Sequence, residues 1–247
     1  MAIGAIVALG LGGLTEVATA QESRNMSLCT TANQSETLNA CQRALVPVAA
    51  FAAVGDIDGL NKALEHGLDA GMSISDAREV LVQLYAYAGF PRSLNALAEL
   101  MKVVKAREAR GIHDAQGSEP SHPAPKGDAL MAAGTANQTE LAGATVEGPL
   151  FDFAPVANEY LRSHLFGDIF ERDNLNWQNR ELATVAMLAA MSGVDAQLQA
   201  HIRMGINAGI SVAQLREAEH VLATQVGVEA GRRITAALQR HEQSAGR

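Results

Sequence analysis

The chain writes one helical pattern twice, and this constrains its fold more than any other feature. The stretch "LNACQRALVPVAAFAAVGDIDGLNKALEHGLDAGMSISDAREV" (residues 38–80) resembles "LNWQNRELATVAMLAAMSGVDAQLQAHIRMGINAGISVAQLREA" (residues 175–218). Leu38, Arg43, Gly67, Ala70, Gly71 and Glu79 match Leu175, Arg180, Gly205, Ala208, Gly209 and Glu217. The offset moves from 137 to 138, so one residue is inserted at the intervening turn. Self-similarity on this scale marks a duplicated supersecondary unit, and two such units must bury their apolar faces together.

Each copy reads as helix, turn, helix, turn, helix. Gly71 and Gly209 follow apolar-periodic stretches, where a terminal glycine adopts the left-handed conformation at little steric cost. Ser73 and Ser211 then stand as N-caps, with Asp76 and Gln214 three residues on in capping-box spacing. Pro47 either opens its helix or kinks it. The chain is rich in Ala, Leu and Gly, only 4% aromatic, and lacks the β-branched alternation of sheets. The expected fold class is therefore all-α, a helical bundle of two tandem repeats.

Residues 105–148 break the helical period. "GIHDAQGSEPSHPAPKGDAL" is rich in Gly, Pro, Ser and charge and reads as a linker or a loop over the surface. Residues 153–170 read as a further amphipathic helix. The expected organisation is a leader over 1–20, a first repeat over 21–104, a linker over 105–148 and a second repeat over 149–247.

The leader reading rests on an apolar run from Ala2 to Leu14, closed by the small-x-small pattern Ala18-Thr19-Ala20 before Gln21. That is the pattern of a secretory signal peptide cleaved after Ala20, and it is too short for a membrane span. It carries no Lys or Arg at its start, so an apolar N-terminal helix is the other reading. Export would place the mature chain in the periplasm or outside the cell, with no membrane as partner. In such a compartment Cys29 and Cys41 could form a disulfide; spacing alone leaves two free thiols equally open. The net charge of −8 offers no basic footprint and argues against nucleic acid as a partner.

The unit "R-E-L…A…H…N-A-G-I…Q-L-R-E" and the stretch "YAGFPRSLNAL" resemble the carboxymuconolactone decarboxylase family, a relative of the alkyl hydroperoxidase D-type proteins. The resemblance spans residues 38–100 and 175–238. It implies a carboxymuconolactone-decarboxylase-like all-α fold in each repeat and assembly into homo-oligomers, trimers or hexamers, with sites formed between units. The hydroperoxidase branch uses a CxxC opening a helix, flanked by a Glu and a His. Here Gly193 and Ala196 stand where the two cysteines would be, and Glu181 and His201 match the flanking pair. The chemistry of that branch needs a thiolate, so the sequence sits closer to the lactone decarboxylase branch, which lacks the cysteines and keeps the His.

Three further positions carry chemical interest. Glu181 borders an apolar face of its helix, where a carboxylate is either stabilised by the macrodipole or partly buried for acid/base work. His201 lies at the edge of a buried face, as a hydrogen-bonded core residue or a proton shuttle. Arg92 follows Gly89-Phe90-Pro91, which ends one helix and starts another. A cation in a first helical turn is unfavourable, so Arg92 reads as a bidentate substrate-carboxylate ligand or as half of a salt bridge. Tyr85 and Tyr87 point about 200° apart on a helix, so one at most lines a given pocket.

Glu217-x-x-His220 has a di-iron spacing, but the first repeat carries no such motif and a solvated face is the better reading. Where the second repeat has Glu181 and His201, the first has Ala44 and Ala63. Where the first has Tyr85, Tyr87 and Arg92, the second has Ala223, Gln225 and Ala230. The expected product is a cofactor-independent decarboxylase or isomerase acting on a small carboxylate or lactone. Glu181 and His201 would move protons, Arg92 would hold the carboxylate and Tyr85 or Tyr87 would line the pocket. A non-catalytic binding protein on the same fold is the alternative. A peroxiredoxin-like activity through Cys29 and Cys41 is the third reading.

Overall fold

The computed structural model describes residue 29 and residues 36–245; the expected leader lies outside the described residues. Every regular element in it is helical. The first repeat contributes α1 (Ala40–Val54), α2 (Ile57–Asp69), α3 (Ile74–Gln83), the single turn α4 (Tyr85–Ala88) and α5 (Phe90–Ala109). The second contributes α9 (Trp177–Ala190), α10 (Asp195–Asn207), α11 (Val212–Gln225) and α12 (Val228–Ala245). Between them lie α6 (Asp128–Ala142), α7 (Pro149–Phe153), α8 (Pro155–Tyr160) and a π-helix (Leu161–Ile169).

The helix starts repeat with the sequence. Asn39 caps α1 and Asn176 caps α9, each accepting from a backbone N–H three residues on. Ser73 and Ser211 cap α3 and α11 with complete capping boxes, and Gly71 and Gly209 precede them at φ 89° and 95°. The inserted residue falls in the turn after the first helix of each copy, as the change of offset requires. Pro47 stands in the middle of α1 rather than at its start, so it removes one interior hydrogen bond of that helix.

The two copies meet through α1 and α9, which pack side by side at the centre of one continuous core. Positions that match between repeats face each other there. Gln42 Nε2 donates to Asn179 Oδ1 at 3.1 Å, and these two residues are equivalents. The matched Arg and Glu exchange partners across the same boundary. Arg180 of the second repeat donates to Glu79 of the first (3.1 Å), and Arg43 of the first donates to Glu217 of the second (2.6 Å). Each arginine also donates to the carbonyl five residues before it, Leu175 for Arg180 and Leu38 for Arg43.

The two exchanges differ in burial. Arg43 and Glu217 lie near the surface, whereas Arg180 and Glu79 are both buried. Arg180 satisfies its guanidinium with Glu79, Gln83 Oε1 and the carbonyls of Leu175 and Arg172. Arg172 grips Glu79 from the other side at 2.6 and 2.9 Å. Burial by itself would raise the Glu79 carboxyl, but the Arg172 hydrogen bond and the Arg180 charge outweigh it and hold the group at about 2. Burial in turn pulls Arg180 below the ordinary arginine range.

The expected linker is more ordered than its composition suggests. α5 runs on to Ala109, and residues 110–127 form a strap rather than a free tether. Its carbonyls at Ala115 and Gln116 accept from Ile74 and Ser75 at the N-terminus of α3, satisfying donors that a helix start leaves open. "DALMAAGTANQTELA" then forms α6, since its Ala, Leu, Met, Gln and Glu favour helix once packing is available. The packing surface is the π-helix. A Cβ at Gly134 would lie 1.8 Å from the Arg162 carbonyl oxygen, so only glycine allows this approach. The expected amphipathic helix over 153–170 is broken into α7, α8 and the π-helix around Pro155.

Cys29 and Cys41 are joined in a disulfide, and both are fully buried. Asn179 Nδ2 donates to the Cys29 carbonyl at 2.6 Å, so the bridge ties residue 29 to both α1 and α9.

Glu79→Ala would strand a buried guanidinium and should cost about 3–5 kcal/mol in chemical denaturation. The same change at Glu217, its half-exposed counterpart, should cost roughly 1 kcal/mol or less. Because the folded Glu79 carboxyl is depressed, its contribution should be complete above about pH 4.5 and disappear as pH falls towards about 2. Denaturation midpoints of wild type and Glu79→Gln across that range should converge at the acid end.

Candidate active site

Glu181 and His201 come together at the packing of α9 against α10. Asn176 starts α9, which makes Glu181 its fifth residue and turns it inward; it is fully buried. It therefore lies beyond the first turn, and the macrodipole does not explain its presence. His201 is the seventh residue of α10 and is 7% exposed. Its Nδ1 lies 2.8 Å from Glu181 Oε2. A carboxylate accepts from a ring N–H, so Glu181 places the imidazole proton on Nδ1 and leaves Nε2 with its lone pair free for proton transfer.

Tyr87 supplies the third side of the cluster, from the other repeat. Its ring meets the His201 ring edge-on at a centroid distance of 5.4 Å. Burial first, and then the Glu181 charge, push the Tyr87 phenol far above the ordinary tyrosine range, so it stays neutral and can only donate or accept a hydrogen bond. The Thr184 hydroxyl beside it is already engaged, accepting from Gln83 Nε2 (2.7 Å) and donating to the Arg180 carbonyl (2.9 Å). Tyr87 Oη and Glu181 Oε1 are both buried without a hydrogen-bond partner. Two orphaned polar atoms beside a histidine are costly for stability alone, since each forfeits its hydration without replacement.

The other expected site residues go elsewhere. Tyr85 makes different ring contacts from Tyr87: it stacks on Phe90 with ring centroids 4.4 Å apart, and His164 lies on its flank. Arg92 does not face the Glu181–His201 pair within the chain. It is exposed, donates to the Ala53 carbonyl and rests against Met191 Sδ at 3.8 Å. Met191 ends α9 and Glu181 stands ten residues earlier, about 15 Å along the helix. The unfavourable position of Arg92 in the first turn of α5 is offset by a favourable one, because Ala53 lies in the last turn of α1, whose negative end attracts a cation. Arg233 serves α9 likewise through the carbonyls of Ala189 and Ala190.

Thr184, Gln83 and the Arg180–Glu79 pair surround the cluster and were not read as site residues from sequence. The matched Arg and Glu of the two repeats were the signal for the last two. Glu217 of the E-x-x-H pattern is occupied by Arg43 and the Leu38 amide. At the related position, Ala63 of the first repeat and Gln225 of the second, the equivalents of His201 and Tyr87, line an open cavity of about 600 Å³ with Phe51 and His66. The chemical groups are thus present at one of two related positions. A layer formed by α6 and the π-helix covers Tyr85, Tyr87 and Met204 on the other face of α10.

The Carboxymuconolactone decarboxylase family model matches residues 23–101 and 155–240, one segment in each repeat, and the chain belongs to that family. No curated protein gives a significant match.

Removing the orphaned phenol should be nearly free for folding and harmful to any reaction at the site. Tyr87→Phe should leave the thermal midpoint unchanged or raised, by up to about 1 kcal/mol in stability. A loss of about 2 kcal/mol or more would show instead that the hydroxyl is structurally bonded.

Proposed function

We propose that this member of the carboxymuconolactone decarboxylase family is an enzyme that moves protons on a small carboxylate or lactone, as a decarboxylase or isomerase, with Glu181, His201 and Tyr87 as its working groups. The observation that carries the reading is the buried Glu181–His201 pair, 2.8 Å apart, beside an unpartnered Tyr87 hydroxyl. When a carboxylate beside an electron-accepting carbonyl leaves as carbon dioxide, its bonding electrons pass into an enolate. Tyr87 can donate a hydrogen bond to that oxygen as charge develops there. His201, protonated, then delivers a proton to carbon from Nε2, and Glu181 stabilises the imidazolium before that transfer. Removal of a proton from one carbon by the same nitrogen and its return to another carbon of the enolate would run an isomerisation.

Proton transfer of this kind needs no redox group. A thiol relay is less well supported. Asn179 holds the Cys29 carbonyl, and residues two apart on α9 point about 200° apart, so Glu181 faces away from the disulfide. The disulfide agrees with an exported protein, periplasmic or secreted, because such bridges persist in oxidising compartments. Exposed apolar side chains on α5, Phe90, Leu94 and Met101, are in keeping with a homo-oligomer.

Glu181→Gln retains a hydrogen bond to His201 and removes a buried charge. It should abolish turnover of lactone or β-keto carboxylate substrates while keeping the thermal midpoint within a few degrees of wild type. Saturable binding of such compounds by the wild type without product would turn the reading to a binding protein. Loss of peroxide reduction on mutating both cysteines to serine would turn it to a thiol enzyme.

A further inference from the structure

Away from Glu181 and His201, a cavity of about 320 Å³ opens where α6 meets α7, α8 and the π-helix. None of its walls comes from the central α1–α9 packing. Gln138 of α6 lines it, is 3% exposed, and its amide makes no hydrogen bond to any described residue. Asn158 of α8 lines it too, with a buried Oδ1 that has no partner. Arg162 of the π-helix uses only its Nε, at 3.5 Å to the Asn158 carbonyl, and forms no ion pair among the described residues. Glu147 and Asp152 stand on the rim, likewise without an ion pair among the described residues.

We propose that this cavity is a binding site for a small zwitterion of amino-acid size, with its carboxylate on Arg162 and its ammonium group towards Asp152 and Glu147. A guanidinium whose terminal nitrogens are uncommitted is suited to a bidentate carboxylate. The two carboxylates on the rim supply the complement for a cation. Asn158 Oδ1 then finds in the ligand the hydrogen bond the protein denies it, and the Gln138 amide, which reaches the cavity, adds a second polar contact. The volume lies at the small end of the roughly 300–1,000 Å³ typical of ligand pockets. Arg162 is the second residue of the π-helix, and such segments recur at functional sites. The proposal does not depend on the activity assigned to Glu181 and His201.

The test is isothermal calorimetry and thermal-shift titration of the full chain with each neutral proteinogenic amino acid in turn. For the tightest binder, its deaminated acid and its decarboxylated amine follow, with a hexose as the polyol control. At least one amino acid should bind saturably with a Kd of about 1 mM or tighter. Each singly charged analogue should bind about tenfold more weakly or worse, since it leaves one charged wall unpaired. Arg162→Met should remove binding, while Glu181→Gln should leave it intact. Gln138→Leu should raise the thermal midpoint of the free protein and lose the ligand-induced shift, because it replaces an unpaired amide by an apolar group of similar size. No saturation with any amino acid at roughly 10 mM would overturn the proposal. So would equal binding of the hexose or of the singly charged analogues, or binding unchanged in Arg162→Met.

Discussion

The buried Arg180–Glu79 pair is the contact on which the rest of the molecule depends. It is made by one residue from each repeat, at the place where α9 passes α3, and neither charge has access to water. Two ions taken out of water are tolerated only when geometry and further hydrogen bonds are nearly complete. Here Arg172, Gln83 and two backbone carbonyls complete them. This fixes the register of the two halves. A slip of one residue in either helix would leave a bare charge in the core, a far larger penalty than any misfit of small apolar side chains in an Ala-rich interface. The half-exposed Arg43–Glu217 pair is the same device under weaker constraint.

The candidate active site hangs on that frame. Glu181 is the next residue after Arg180, so the pair that locks α9 in place also sets the direction of the Glu181 carboxylate. Gln83 and Thr184 link the two shells: Gln83 bonds to both Arg180 and Thr184, and Thr184 lies beside the Tyr87 hydroxyl. Tyr87 belongs to the first repeat and Glu181 and His201 to the second. A site built from both copies explains why neither copy retains all the chemical residues, and why the related position is an open cavity rather than a second cluster.

The strap and the covering layer show a different use of sequence. Residues 110–127 have the composition of a free tether, yet their carbonyls complete the N-terminus of α3. α6 lies outside both segments of the family match, and the π-helix near the start of the second one packs against it. They are held together by a glycine-permitted approach at Gly134, the Asn137 amide on the Phe166 carbonyl and a small apolar cluster. Their polar cavity gathers the buried Asn158 Oδ1 and the uncommitted end of Arg162, much as the candidate active site gathers Tyr87 Oη and Glu181 Oε1.

By itself, the sequence determined that the chain is helical and duplicated, where most helices begin, and which glycines, caps and matched charges recur. It also marked Glu181, His201 and Arg92 and left Tyr85 and Tyr87 as alternatives, because periodicity and residue chemistry are local properties. Tertiary structure decided what each of them faces. Arg92 lies in the first turn of its helix in either view, and only the packing of α5 against α1 shows that its guanidinium donates to the Ala53 carbonyl at the end of α1. The pairing of Cys29 with Cys41, the helical state of 128–142 and the meeting of Tyr87 with His201 were likewise settled by contacts between segments distant in sequence. Such contacts depend on which faces are buried together, and no spacing along a single chain encodes that directly.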